Sequence, residues 1–137
     1  MTQTPNSDVV SHGIRVRAAA QPVPERSDPE SDTYEFVYRV TITNEGSTSA
    51  RLLERHWVIL DADNGRQDVR GPGVVGEQPY LAPGESYEYM SRCPLTTPWG
   101  TMEGSYTFER DDGSRFEAAV GRFFLVSAKY AQPRAGS

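Results

Sequence analysis

One glycine-rich segment has the residue types and spacing that could bind a phosphate group. Gly71, Gly73 and Gly76 form the pattern G-x-G-x-x-G, and Arg70 directly precedes them. In dinucleotide-binding folds, such glycines let backbone N–H groups approach a pyrophosphate at the start of a helix. No helix is predicted after Gly76, because the next residues are Glu77-Gln78-Pro79. The pattern therefore does not indicate a dinucleotide-binding fold.

Without a helix, the segment could bind an anion only through a nest of backbone N–H groups. Arg66 and Arg70 would add positive charge, but Pro72 has no N–H to donate and Glu77 would repel an anion. The favoured interpretation is that the glycines permit a sharp connection between two strands. The alternative is a pyrophosphate or nucleotide site formed by Arg70, Gly71, Gly73 and Gly76.

Two aromatic positions are candidates for a protein interface. Trp57 lies in a predicted central strand and is expected in the core, so His56 beside it points to the opposite face. Trp99 lies in a predicted long loop from Cys93 to Gly100, where alternation does not assign it to the core. A loop tryptophan is a common interface anchor. We expect His56 and Trp99 to contact an as yet unidentified protein partner.

The groups that catalysis or metal binding requires are mostly missing. His12 and His56 are not spaced as metal ligands, and Cys93, the only cysteine, has no histidine near it in sequence and is expected to be a buried or half-buried thiol. Residues 61–65 partly follow a calcium loop, but their glycine comes one position early. Asn64-Gly65 instead predicts a type I′ hairpin turn. The sequence predicts a non-enzymatic protein with no cofactor and no metal site.

Composition and charge narrow the class of protein. The chain has 137 residues, 36% hydrophobic and 24% charged, which is typical of a globular domain. Its net charge of -5 argues against nucleic acid as a partner. No run of 18 apolar residues indicates a membrane span, and the N-terminus lacks the pattern of a signal peptide. Together with the isolated cysteine, these features predict a cytoplasmic protein.

Period-two alternation of apolar and polar residues is the strongest pattern in the chain. Between Asp32 and Asn44, one face of the predicted strand is apolar, with Tyr34, Phe36, Tyr38, Val40 and Ile42. The apolar run from Trp57 to Leu60 indicates either a central strand covered on both sides or a bulge, and a phase slip at Gly121 indicates a bulge. About seven antiparallel strands are predicted, typical of an all-β, immunoglobulin- or fibronectin type III-like sandwich, at roughly residues 13–20, 33–44, 51–62, 66–70, 86–92, 101–109 and 115–126. The predicted domain spans residues 11–128, between disordered tails at 1–10 and 129–137.

Several of these segments together resemble the ApaG family. The resemblance covers about Val16 to Leu125 and rests on motifs in the same order: Arg55-His56-Trp57-Val58-Ile59, Val69 to Pro79, Leu81-Ala82-Pro83-Gly84-Glu85, Cys93 to Pro98, and Met102-Glu103-Gly104-Ser105-Tyr106. It implies a fibronectin type III-like fold. It also implies a bacterial protein linked to cobalt and magnesium tolerance, whose glycine motif is a proposed pyrophosphate or nucleotide site.

The resemblance also includes eukaryotic domains that look like protein-interaction modules. We therefore expect a binding module for a protein partner, with the pyrophosphate or nucleotide sensor as the alternative function. Direct binding of cobalt or magnesium has little support, because the acidic pairs at Asp61 with Asp63 and Asp111 with Asp112 are explained by turns.

Overall fold

In a computed structural model, residues 7–128 of the chain are described. Within them, the chain forms nine strands: β1 (Ser7–Ser11), β2 (Ile14–Pro22), β3 (Tyr34–Asn44), β4 (Ala50–Asp61), β5 (Arg66–Pro72), β6 (Tyr80–Leu81), β7 (Ser86–Leu95), β8 (Trp99–Arg110) and β9 (Arg115–Val126). Two short 3-10 turns, Pro24–Arg26 and Pro29–Ser31, lie between β2 and β3. The prediction of an all-β chain is confirmed. None of the helical segments in this range has the length and hydropathy to cross a membrane.

The strands form two antiparallel sheets that pack face to face. One sheet has the order β1-β2-β3-β7, and the other has the order β5-β4-β8-β9, with β6 also pairing with β4. Alternate residues of each strand point inward to the core, and the others form the outer face of the sheet. The predicted antiparallel sandwich is confirmed, with β1 and β6 in addition to the seven predicted strands.

The first strand corrects the prediction of a tail at residues 1–10. Residues 7–10 belong to β1, which forms a hairpin with β2. His12 and Gly13 connect the two strands with φ angles of 51° and 84°, as a type I′ turn requires. The Ser11 hydroxyl accepts a hydrogen bond from the Ala119 N–H (3.1 Å) and ties β1 to β9. The rest of the predicted tails, residues 1–6 and 129–137, lies outside the described residues.

The core is built around Trp57, which is 2% exposed, as predicted. Its ring makes edge contacts with Tyr38, Tyr106 and Phe123, at centroid distances of 5.5, 6.0 and 5.9 Å. Such pairs contribute roughly 0.5–1.5 kcal/mol each beyond the burial of their surface. Residues from both sheets therefore meet at this one indole.

Two bulges set which side chains of the five-stranded sheet point inward. One lies in β4 between Leu52 and Glu54, and the other lies in β9, where Gly121 and Arg122 face the single residue Glu103 of β8. The second is the bulge predicted at Gly121. After the first bulge, Arg55 lies on the same inner face of β4 as Trp57.

Candidate functional site

The glycine-rich segment folds into a tight hairpin turn. The Val74 N–H donates to the Glu77 carbonyl (2.8 Å), and the Glu77 N–H donates back to the Val74 carbonyl (2.9 Å). Between them, Val75 and Gly76 have φ angles of 47° and 80°, so the turn is of type I′. The favoured interpretation of the motif, a sharp connection between strands, therefore describes its geometry.

Gly71 and Gly73 lie where a side chain would meet a close neighbour. A Cβ on Gly73 would overlap the Glu77 carbonyl oxygen, and a Cβ on Gly71 would lie 3.0 Å from the Arg55 guanidinium. Gly76 meets no close neighbour and only supplies the positive φ. The Gly73 N–H donates to the Leu53 carbonyl (2.8 Å). Three N–H groups that a nest would use, those of residues 73, 74 and 77, are therefore engaged within the protein.

The structure separates Arg70 from the glycines that follow it in sequence. Arg70 pairs in register with His56, so both side chains lie on the outer face of the five-stranded sheet. Arg55, on the inner face, is the arginine that contacts the glycine segment. Its Nη1 donates to the carbonyl oxygens of Pro72 and Gly73, each at 3.0 Å. Alternation places Arg55 on the same face of β4 as Trp57, but it does not reveal this contact, because only the pairing of β4 with β5 brings Arg55 opposite Gly71.

Val75 carries backbone strain that a substitution should relieve. A β-branched residue at φ 47° is an outlier, whereas asparagine adopts this region readily. Since Val75 is 60% exposed, its side chain contributes little packing. We expect Val75→Asn to raise the free energy of unfolding by about 1 kcal/mol, measured by urea denaturation. Val10→Asn replaces another exposed valine without a positive φ, and an equal gain there would contradict the strain argument.

The outer face of the five-stranded sheet carries a continuous apolar patch. Trp99 pairs with Val126, Thr101 pairs with Phe124 and Leu60, and Val58 lies two residues before Leu60, so these side chains share that face. We call this set the β8–β9 patch: Val58, Leu60, Trp99, Thr101, Phe124 and Val126. Trp99 is 42% exposed and Phe124 is 52% exposed.

Trp99 lies in a strand, which corrects the predicted long loop from Cys93 to Gly100. β7 continues to Leu95 and β8 begins at Trp99, so only Thr96, Thr97 and Pro98 connect them. The Thr97 hydroxyl donates to the Trp99 carbonyl (2.7 Å) and accepts from the Ala62 N–H (3.0 Å). These bonds hold the start of β8 against the end of β4, and Trp99 is presented by a rigid sheet.

A polar rim borders the β8–β9 patch, and it includes the second predicted interface residue, His56. The His56 Nε2 lies 2.8 Å from an oxygen of Asp68, whose other oxygen accepts from Arg66 (2.7 Å). These hydrogen bonds, first that of Arg66 and then that of His56, hold the pKa of Asp68 well below its usual range. The ion pair of Glu103 with Arg122 continues the rim. The structure thus places His56 and Trp99 on one face.

The acidic turn after β4 is a structural element. The Asp61 carboxylate accepts from the backbone N–H groups of Asp63 (2.9 Å) and Gly65 (2.7 Å). The predicted type I′ turn at Asn64-Gly65 is wrong, because only Asn64 has a positive φ (64°) and four residues, 62–65, connect β4 to β5. Gly65 instead packs directly against the Asp61 carboxylate. Within residues 7–128, no group of three or more His, Cys, Asp or Glu residues could hold a metal ion.

Cys93 is a buried thiol on the inner face of β7. It is 3% exposed, as the sequence predicted, and burial, followed by the charge of Glu35, raises its pKa to about 11. At neutral pH the sulfur is therefore protonated and a weak nucleophile.

The comparisons with known proteins agree with this geometry. A sequence model described as the ApaG domain matches residues 24–110. A Protein ApaG of Dechloromonas aromatica is 49% identical over 123 residues, which cover 90% of this chain and 97% of that protein. A Protein ApaG of Chromobacterium violaceum is 50% identical over 116 residues, covering 85% of this chain and 92% of that protein.

Solved structures give the same result. A crystal structure of an ApaA protein from Bordetella pertussis superposes with a TM-score of 0.82 at 47% identity, covering 85% of this chain and 94% of that one. The C-terminal domain of wzt, at 10% identity and a TM-score of 0.54, shares the fold alone. The order of motifs, the sandwich and these matches lead to one conclusion: the chain belongs to the ApaG family.

Proposed function

We propose that the protein is a non-enzymatic binding module that docks a partner protein on the β8–β9 patch. The observation that carries the proposal is the exposure of Trp99 and Phe124 beside Val58 and Leu60, on the outer face of one sheet. Exposed apolar patches with polar rims mark interaction sites. Because the one cysteine is a buried free thiol, we also propose a reducing compartment, the cytoplasm.

The composition of this surface matches that of protein interfaces. A tryptophan on a rigid strand is the residue type that most often dominates binding energy. Around it, the rim formed by His56, Asp68, Glu103 and Arg122 carries both signs of charge and already satisfies its own hydrogen bonds. A rim of this kind selects among partners and contributes less affinity than the apolar centre.

A second function, pyrophosphate or nucleotide binding at Gly71–Gly76, is not favoured by any contact of the loop. The N–H groups of residues 73, 74 and 77 are engaged within the protein, Pro72 has none, and Arg70 lies on the outer face of the sheet.

Site-specific crosslinking tests the proposed docking surface. A photo-crosslinking amino acid at Val58, inside the patch, should form an adduct of discrete mass in extracts of the cells that make the protein. The same amino acid at Met90, which is 49% exposed on the outer face of the other sheet, should not form it. Equal crosslinking from both positions, or none from Val58, would contradict the proposal.

Trp99→Ala is expected to weaken the affinity for the partner identified by crosslinking by about 30-fold. This corresponds to about 2 kcal/mol of binding free energy for a central tryptophan. Titration of the purified partner, followed by fluorescence anisotropy, measures the change. Met90→Ala is the matched control, because it removes a similarly exposed apolar side chain from the other sheet. An unchanged affinity in Trp99→Ala would contradict the proposal that the partner docks on the β8–β9 patch.

A further inference from the structure

A narrow cleft opens between the edges of the two sheets, on the side away from the β8–β9 patch. β5 is the edge strand of one sheet and β7 is the edge strand of the other. Side chains of β4, β5 and β7 line the cleft, whose volume is about 230 Å³. Pockets for drug-sized ligands are typically about 300–1,000 Å³, so this cleft suits a smaller molecule.

Trp57 lines the cleft but does not present its donor to it. The indole N–H is buried and has no hydrogen-bond partner in the described part of the chain. Trp57 is therefore a reporter beside the cleft, and the donors for a ligand must come from other side chains of the lining.

The lining carries positive charge that no carboxylate balances. Arg55 and Arg92 line the cleft, and no Asp or Glu does. Among residues 7–128, neither arginine forms an ion pair, whereas Arg66 and Arg122 on the outer face both do. Arg55 donates to two carbonyl oxygens through Nη1, which leaves Nε and Nη2 of the fork available.

The other residues that line the cleft favour a carboxylate over a phosphate as the ligand. Ser91 and Gln67 add neutral polar groups, while Ile59, Val69 and Met102 are apolar. A phosphate dianion would lose hydration on every side and find an apolar wall opposite. An organic carboxylate has two oxygens at one end, which suit the guanidinium groups of Arg55 and Arg92, and an apolar body at the other end.

We propose that the cleft between β5 and β7 binds a small organic monocarboxylate, with Arg55 and Arg92 as its donors. The site is separate from the β8–β9 patch and does not depend on the proposed docking function.

The glycine motif takes a new role in this site. Because Gly71 has no side chain, the Arg55 guanidinium lies against the backbone, where it reaches the Pro72 and Gly73 carbonyls. Gly71 is therefore a positioning residue for Arg55. Gly71→Ala should displace the guanidinium and weaken carboxylate binding, with the fold retained because the clash is with a flexible side chain.

The indole N–H signals of the two tryptophans provide an NMR test of carboxylate binding in the cleft. Each indole N–H gives its own peak in a ¹H–¹⁵N spectrum, and Trp99 serves as an internal control on the opposite face. Titration with isovalerate and with benzoate is expected to shift the Trp57 peak and leave the Trp99 peak in place. The neutral amides, isovaleramide and benzamide, should bind at least tenfold more weakly. Inorganic phosphate and pyrophosphate should not shift the Trp57 peak.

Arg55→Gln is expected to weaken carboxylate binding at least tenfold, and Arg39→Gln, on the outer face of the other sheet, should not change it. Should Arg55→Gln fail to give a folded spectrum, Gly71→Ala and Arg55→Lys provide the same comparison. The proposal is overturned if neither acid shifts the Trp57 peak, if the amides bind as well as the acids, if phosphate binds in their place, or if these variants bind normally.

Discussion

Replacing Gly104 by alanine is expected to lower the free energy of unfolding by about 3 kcal/mol or more, the range of severe overpacking. Gly104 pairs with Trp57 across β4 and β8, next to the bulge in β9. A Cβ there would overlap the His56 carbonyl oxygen and lie 3.1 Å from the Trp57 Cα. Since both are backbone atoms of a central strand, relief requires breaking the β4–β8 pairing. Urea denaturation followed by tryptophan fluorescence measures the loss.

Gly113→Ala is the matched control for this steric argument. Gly113 has a φ of 87° and no heavy atom within 4 Å of the added Cβ, so only its backbone conformation resists alanine. We expect that variant to lose about 1 kcal/mol. Equal losses for the two glycines would mean that close approach at Gly104 does not contribute. The result also bears on the cleft, because Gly104 sets the position of Trp57.

Asn44→Ala is expected to cost about 2–4 kcal/mol, because it leaves several backbone groups without partners near the core. Asn44 ends β3 and is 1% exposed. Its Nδ2 donates to the carbonyls of Thr48 (2.9 Å) and Leu81 (3.0 Å), and its Oδ1 accepts from the Gly46 N–H (2.9 Å). One side chain therefore joins β3, the following turn and β6.

Thr43→Ala provides the comparison for Asn44. Thr43 is the preceding residue, and its hydroxyl forms a single exposed hydrogen bond to Ser86 (2.8 Å). Its loss should cost less than about 1 kcal/mol, because water can replace the partner. Thermal and urea unfolding of both variants, at one pH, give the two numbers. A loss at Asn44 no larger than that at Thr43 would show that the three bonds contribute little.

The pattern of apolar residues was enough to predict the sandwich. Alternation such as Phe36, Tyr38, Val40 depends only on a strand having one buried face, so it is visible without any partner strand. The seven predicted strands are present, most with ends shifted by up to three residues. β1 was missed because its hairpin uses His12-Gly13, and histidine is a weaker turn signal than asparagine. β6 was missed because two residues show no period.

The candidate sites, like the fold, could be predicted from the sequence only in part. The sequence was enough to predict His56 and Trp99 as surface residues. It was not enough to predict that strand pairing places both on one face with Phe124. The glycine motif was also apparent in the sequence. In the structure its N–H groups form the hydrogen bonds of a turn, and its carbonyl groups accept hydrogen bonds from Arg55. Arg55 precedes the motif by sixteen positions, so no local pattern connects them.

The sequence by itself determined the all-β class, the burial of Trp57 and the family, because these depend on local alternation and on motifs in order. Only the tertiary structure decided what Arg55 contacts, since the register of β4 with β5 sets Arg55 opposite Gly71. In the sequence, the glycine segment has the residue spacing of a phosphate site. In the folded chain it is the turn that holds an arginine at the edge of a cleft, because strand register brings distant residues into contact.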